Sequence, residues 1–122
     1  MFINFSNHPS KNWTKEQLDA AAKYGEVIDV AFPTVDPKAS GAEVESTARE
    51  WAEKIAEMLG KNTGAVMVQG EFTCAYHVIM YLKSLGIRVV AATSCRIAEE
   101  RVDSKGNSVK NVVFKFEQFR EY

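Results

Sequence analysis

Cysteine is scarce: Cys74 and Cys95 are the only two in 122 residues, and their spacing fits neither a disulfide scaffold nor a zinc knuckle. A reducing cytoplasm is the economical expectation. Histidine is as rare, with His8 and His77 alone, so no multi-ligand spacing appears and neither a metal nor another cofactor is expected. No apolar run approaches the roughly 20 residues a membrane helix needs. The opening Met1-Phe2-Ile3-Asn4-Phe5 lacks the basic region and long apolar segment of a signal peptide and reads instead as a strand. Excess charge is missing too. Fifteen basic against 16 acidic residues leave a net charge of −1, which gives long nucleic acid no global attraction but allows a local pocket for a small anion. Both G-x-G-x-x-G and G-K-[ST] are absent, which argues against nicotinamide dehydrogenase and nucleoside-triphosphatase chemistry.

What is present suits a single α/β domain over residues 1–122. Apolar residues make up 46% of the chain and charged residues 25%, enough for a proper core. The organising stretch is Ala65-Val66-Met67-Val68-Gln69-Gly70, an apolar run without alternation that predicts a strand covered on both faces. Apolar residues at Ala75, Val78, Ile79, Leu82 and Leu85 then recur at helical spacing up to Gly86. The N–H groups of that helix's first turn are expected to face the carboxyl edge of the sheet, where open α/β sheets bind ligands.

Upstream, Met1 to Phe5 predicts the first strand, and Thr14-x-x-Gln17 a capping box opening a helix with Leu18, Ala21 and Ala22 inward. Glu26 to Phe32 predicts strand two, with Val27, Ile28, Val30 and Ala31 as core candidates. Ser40-x-x-Glu43 predicts a second capping box, for a helix burying Val44, Ala48, Trp51, Ile55, Met58 and Leu59. Downstream, Ile87 to Ala92 predicts strand four, emptying into a turn at Thr93-Ser94-Cys95-Arg96. Ile97 to Phe119 predicts a β-hairpin turning at Asp103 to Asn107, with Val112, Phe114 and Phe116 on a buried face. The order implies a mainly parallel, doubly wound sheet with flanking helices and a C-terminal hairpin. With strand order 2-1-3-4, the switch point lies between strands one and three, and the loops at Ser6 to Trp13, Gln69 to Thr73 and Thr93 to Arg96 meet there.

Each loop carries candidate chemistry beside a plainer role. Gly70 permits close backbone approach to phosphate, or is required by a tight turn. Gln69 offers an amide to a ligand, or satisfies the turn. Arg96 suits phosphate through its planar fork, or pairs with Glu99 or Glu100. His8, after Ser6 and Asn7, is an acid, base or phosphate contact, or a loop hydrogen-bonding group. Lys11 adds a cation, and Trp13 either a base-stacking surface or a hydrophobic staple. Cys74-x-x-His77 is the remaining pair, since a thiol in a first helical turn is sometimes activated, although neither an oxyanion donor nor a third member is identifiable.

Taken together, Phe2-Ile3-Asn4-Phe5-Ser6-Asn7-His8, Thr14-x-x-Gln17, Val68-Gln69-Gly70-Glu71-Phe72, Thr93-Ser94-x-Arg96 with Glu99, and the ending Val113-Phe114-Lys115-Phe116-x-x-Phe119-Arg120-Glu121-Tyr122 resemble small CRISPR-associated ancillary proteins of the ring-nuclease type. The resemblance implies a CARF-like, Rossmann-like fold, a homodimer, and a role in antiviral defence. It implies binding of a cyclic oligoadenylate, cyclic tetraadenylate foremost, and metal-independent cleavage by the ribose 2′-hydroxyl. His8, Ser94 and Arg96 are then the expected catalytic contacts. Ser6, Asn7, Lys11, Gln69, Gly70, Glu71, Phe72, Thr73 and Thr93 are the expected ligand contacts. One departure is Cys95, where related chains carry a lysine before the arginine. Its loss removes a cation, and a noncatalytic cyclic-nucleotide-binding or interaction module is the alternative.

Overall fold

Residues buried on both sides of the backbone mark the two central strands. In the computed structural model, which describes residues 1–61 and 63–122, β1 (Phe2–Ser6) is buried along its whole length. A short 3-10 turn at Ser10–Asn12 leads to α1 (Lys15–Ala22), β2 (Val27–Ala31) and α2 (Gly41–Leu59). Then come β3 (Ala65–Val68), also buried throughout, α3 (Phe72–Ser84), β4 (Val89–Val102) and β5 (Ser108–Glu121). The sheet runs β2-β1-β3-β4-β5. The first four strands are parallel, and β5 is antiparallel to β4.

Two layers close the core. Ile3, Phe5, Val66 and Val68 meet Val44, Ala48, Ile55, Val78 and Leu82 of α2 and α3 on one face. Phe2, Ala65, Met67 and Val90 meet Trp13 and Ala21 on the other, beside α1. Burying a side chain such as Phe2 or Phe5 contributes about 2–3 kcal/mol before chain entropy is counted against it.

Helix starts follow their caps. Ser40 accepts the Glu43 N–H at 3.2 Å while the Glu43 carboxylate accepts the Ser40 N–H at 3.4 Å, so the box at α2 is complete. At α1 the Thr14 half forms, with the Gln17 N–H donating at 3.3 Å, but the Gln17 side chain faces a cleft described below. Only Ala21 of α1 is buried, whereas Leu18 and Ala22 are exposed. A helix of eight residues on its face of the sheet covers too little to bury a broad stripe. In α2, Ala52 is buried where Met58 was expected, Met58 being 41% exposed. Strand β2 is an edge, so Val27, Ile28 and Val30 are half-buried and Ala31 is exposed.

The largest correction concerns β4. Thr93 to Arg96 is not a turn: the strand continues through it to Val102, paired with β5 from Val90↔Glu121 to Val102↔Ser108. That antiparallel ladder is longer than any of the parallel ones, so the sheet is mixed rather than mainly parallel. A bulge between Thr93 and Ser94 lets the ribbon bend as it passes the carboxyl edge. The hairpin turn is where the sequence predicts it, with Asp103 Oδ1 accepting the Lys105 and Asn107 N–H groups at 2.8 and 2.9 Å. Beyond the bulge both ribbon faces are open, however. Val112 and Phe114 are 45% and 67% exposed rather than buried, because among the described residues no other element covers them, whereas Phe116 is half-buried.

Candidate functional site

The loop after β1 is held by one buried amide. Asn4 is 1% exposed, and its Nδ2 donates to the His8 carbonyl at 2.8 Å and to Asp29 Oδ1 at 2.9 Å. Its Oδ1 accepts from Ser6 Oγ at 2.6 Å, and that hydroxyl in turn accepts the His8 N–H at 3.1 Å. The Trp13 indole donates to the same His8 carbonyl at 3.1 Å, and the Ser10 N–H and hydroxyl both bind the Asp29 carboxylate. With its backbone fixed in this way, the loop presents the exposed His8 side chain at the carboxyl edge of β1.

There His8 borders a cleft of about 300 Å³. One wall is Trp13, Thr14 and Gln17 from the start of α1, the floor is Met67, Gln69 and Ala92, and the other wall is Thr93, Ser94, Phe114 and Phe116 from the ribbon. Beneath it runs a chain of rings: Phe116 lies 5.0 Å from Phe119, Phe119 lies 4.8 Å from Phe2, and Phe2 lies 6.1 Å from Trp13. The cleft thus offers aromatic surface, amides, hydroxyls and one imidazole. Among the described lining residues there is neither lysine nor arginine.

Of the residues expected from sequence, His8, Gln69, Thr93 and Ser94 come together here. Gln69 Oε1 also accepts the Ala92 N–H at 3.3 Å, which ties the end of β3 to β4 just before the bulge. The Thr93 hydroxyl is engaged with both the carbonyl and the N–H of Gln118 at the bulge. Ser6 is buried in the loop network. Asn7 and Lys11 are exposed at the same edge but outside the cleft lining, and Arg96 stands on the ribbon opposite Phe114, also outside it. Gln17, Met67, Phe114 and Phe116 are lining residues the sequence reading did not select. The aromatic pair has a signal in its alternation, which marks a sheet face without showing whether that face is core or cleft.

The turn from Gly70 to Thr73 is organised by its own side chains. Glu71 caps α3: its carboxylate accepts the Thr73 and Cys74 N–H groups at 3.1 and 2.9 Å and the Thr73 hydroxyl at 2.7 Å. Those amides are therefore engaged by an anion of the chain itself. Gly70 sits against Phe32, and Phe72 is 90% exposed on the side away from the cleft. Hydrogen bonds from the Thr73 hydroxyl, then from the Cys74 and Thr73 amides, hold the Glu71 carboxyl below the usual carboxylate range. A lowered folded value means the cap stabilises fully above the ordinary glutamate pKa, about 4.3, and the contribution fades as pH falls through the lowered value. The stability difference between wild type and Glu71→Gln, followed by urea unfolding, should be largest at neutral pH and shrink in acid. A difference that stays constant down to the acid limit would contradict this.

Cys74 is buried, and burial, followed by the Glu71 charge, pushes its thiol pKa up. That is the wrong direction for a nucleophile. His77 borders a separate groove with Glu45 and Arg49, so Cys74 and His77 form no catalytic pair. Among the described residues no three His, Cys, Asp or Glu side chains gather as a metal site, and no helix is long and apolar enough to cross a membrane.

A family model described as "Uncharacterized protein MJ1673 family" matches residues 1–120. No curated protein and no solved structure matches the chain.

Proposed function

This chain belongs to the MJ1673 family, and we propose that it is a Rossmann-like, CARF-like domain whose cleft binds a cyclic oligoadenylate, cyclic tetraadenylate foremost. The observation that carries the proposal is the convergence of His8, Gln69 and Ser94 with Trp13, Phe114 and Phe116 at one rim of the sheet. Aromatic faces stack bases, and amides and hydroxyls read their edges. A cleft of about 300 Å³ lies at the small end of ligand sites, and in this reading it takes one nucleotide unit of the ring. A ring of four units then extends beyond it, over the ribbon that bears Arg96.

Cleavage follows from alignment. A ribose 2′-hydroxyl attacks the adjacent phosphorus, the bond to the 5′ oxygen breaks, and the products are a 2′,3′-cyclic phosphate and a 5′-hydroxyl that takes up a proton. In this reading His8 exchanges the proton, Ser94 donates a hydrogen bond to the phosphate, and Arg96 neutralises developing charge from the ribbon. The second reading is binding without cleavage. It is favoured by one observation: the described cleft lining lacks lysine and arginine.

Incubating the full chain with cyclic tri-, tetra- and hexaadenylate in chelator, with calorimetry and product chromatography, tests both readings. The expected result is binding, a linear product with a cyclic phosphate end, and at least tenfold weaker affinity for Phe116→Ala, about 1.4 kcal/mol of lost stacking. Tight binding with intact rings supports the second reading. Failure to bind any ring refutes both.

A further inference from the structure

The bulge decides which side chains of the ribbon share the cleft's face. Side chains alternate along a strand, so Phe119 and Phe116, three positions apart, would point to opposite faces of a regular ladder. Thr93 pairs with Gln118 and Ser94 with Phe116, which leaves Glu117 as an extra residue on β5. That residue brings Phe116, and Phe114 beyond it, onto the face of Phe119. Accordingly the Phe116 ring lies 5.0 Å from Phe119, and Phe114 and Phe116 both border the cleft. Residues directly opposite in an antiparallel pair also share a face, so Arg96, opposite Phe114, stands on this one. Cys95 and Lys115, the pair between, stand on the other.

Arg96 and Phe114 lie one two-residue step beyond Ser94 and Phe116, about 7 Å further along the ribbon. Both are free to take a ligand. Glu99 alternates to the opposite face, and Glu100, on the same face as Arg96, is joined to Lys110 at 3.5 Å. Among the described residues no carboxylate bridges to Arg96, and Phe114 is 67% exposed. We propose that Arg96 and Phe114 form a second nucleotide subsite, which takes the unit next to the one held in the cleft. Phe114 stacks the second base, and the Arg96 guanidinium binds the phosphate that links the two units. Two observations fix this occupant. The face runs without a break from the cleft to the pair, so a ligand that extends out of the cleft along the ribbon meets the pair next. The described cleft lining has no lysine or arginine, so the charge of the linking phosphate is met outside it.

This subsite rests on the ligand reading above, and its test is built to fail separately. Calorimetry of the full chain compares adenosine, linear diadenylate and cyclic tetraadenylate. Diadenylate is expected to bind at least about tenfold more tightly than adenosine, because only the dinucleotide brings a phosphate and a second base. Arg96→Gln should remove most of that gain and weaken ring binding about tenfold, with adenosine affinity unchanged. Lys115→Gln makes the same change of charge on the opposite face and should alter none of the three. Adding Cys95→Arg to Arg96→Gln restores the net charge on the wrong face and should not rescue binding. Equal affinities for adenosine and diadenylate, equal effects of Arg96→Gln and Lys115→Gln, or rescue by Cys95→Arg would overturn the subsite, and ring binding by the wild type would then leave the ligand reading standing. Failure of adenosine, diadenylate and the ring alike would overturn both.

Discussion

Asn4→Leu is expected to lower the unfolding free energy by about 3 kcal/mol, although leucine nearly matches asparagine in size. Asn4 is fully buried, and each of its polar atoms is used. The substitution takes the 2.6 Å acceptor from the Ser6 hydroxyl, leaving it only the His8 carbonyl at 3.5 Å, and takes one donor each from the His8 carbonyl and the Asp29 carboxylate. Hydrogen-bonding groups stranded away from water cost about 1–3 kcal/mol apiece, more than an intact bond contributes. Trp13 and Ser10 still reach two of these groups, and Asp29 is exposed to water, which keeps the sum near the lower end. In urea the midpoint should fall by roughly 2 M with the slope unchanged, since slopes for small domains are about 1–3 kcal/mol per molar. The effect should reach the cleft as well, because the same bonds fix the loop that carries His8. An unchanged midpoint would show that the network does not hold the loop.

Gly70→Ala is expected to cost about 2–3 kcal/mol through overpacking. A Cβ at this position would lie 2.6 Å from three ring carbons of Phe32. Phe32 cannot easily retreat: it is 5% exposed and stacks on Phe5 with ring centroids 4.8 Å apart. The prediction separates two roles for one glycine. Were Gly70 needed to admit a phosphate, alanine would cut ligand affinity and leave stability alone. If packing governs, Phe32→Leu should relieve the clash, and the double variant should be more stable than the sum of the single effects by about 1 kcal/mol. Strict additivity in urea unfolding would exclude the packing role.

Caps and helix faces were legible because they depend on neighbours three or four residues away. Ser40 with Glu43, the stripe Val44-Ala48-Ile55-Leu59 and the turn at Asp103 to Asn107 all follow from such spacing. Glu71 was legible as a rim residue but not as the cap of α3, since a carboxylate there reads equally well as loop or cap until the backbone direction is known. The aromatic wall was misread for a similar reason. Alternation at Phe114 and Phe116 reports a sheet face, but it cannot say whether anything lies over that face.

By itself, the sequence determined the elements: an α/β alternation, a first strand at Met1 to Phe5, a buried strand at Ala65 to Val68, three helices and a closing hairpin. These rest on period and local chemistry. Only the tertiary structure decided that β4 runs past Ala92 into a ribbon, that the sheet is mixed, and that Arg96 stands outside the cleft while Phe114 and Phe116 line it. The physical reason is range. Whether Ser94 lies in a turn or a strand is settled by its pairing with Phe116 across the sheet, and no spacing within Thr93-Ser94-Cys95-Arg96 carries that information.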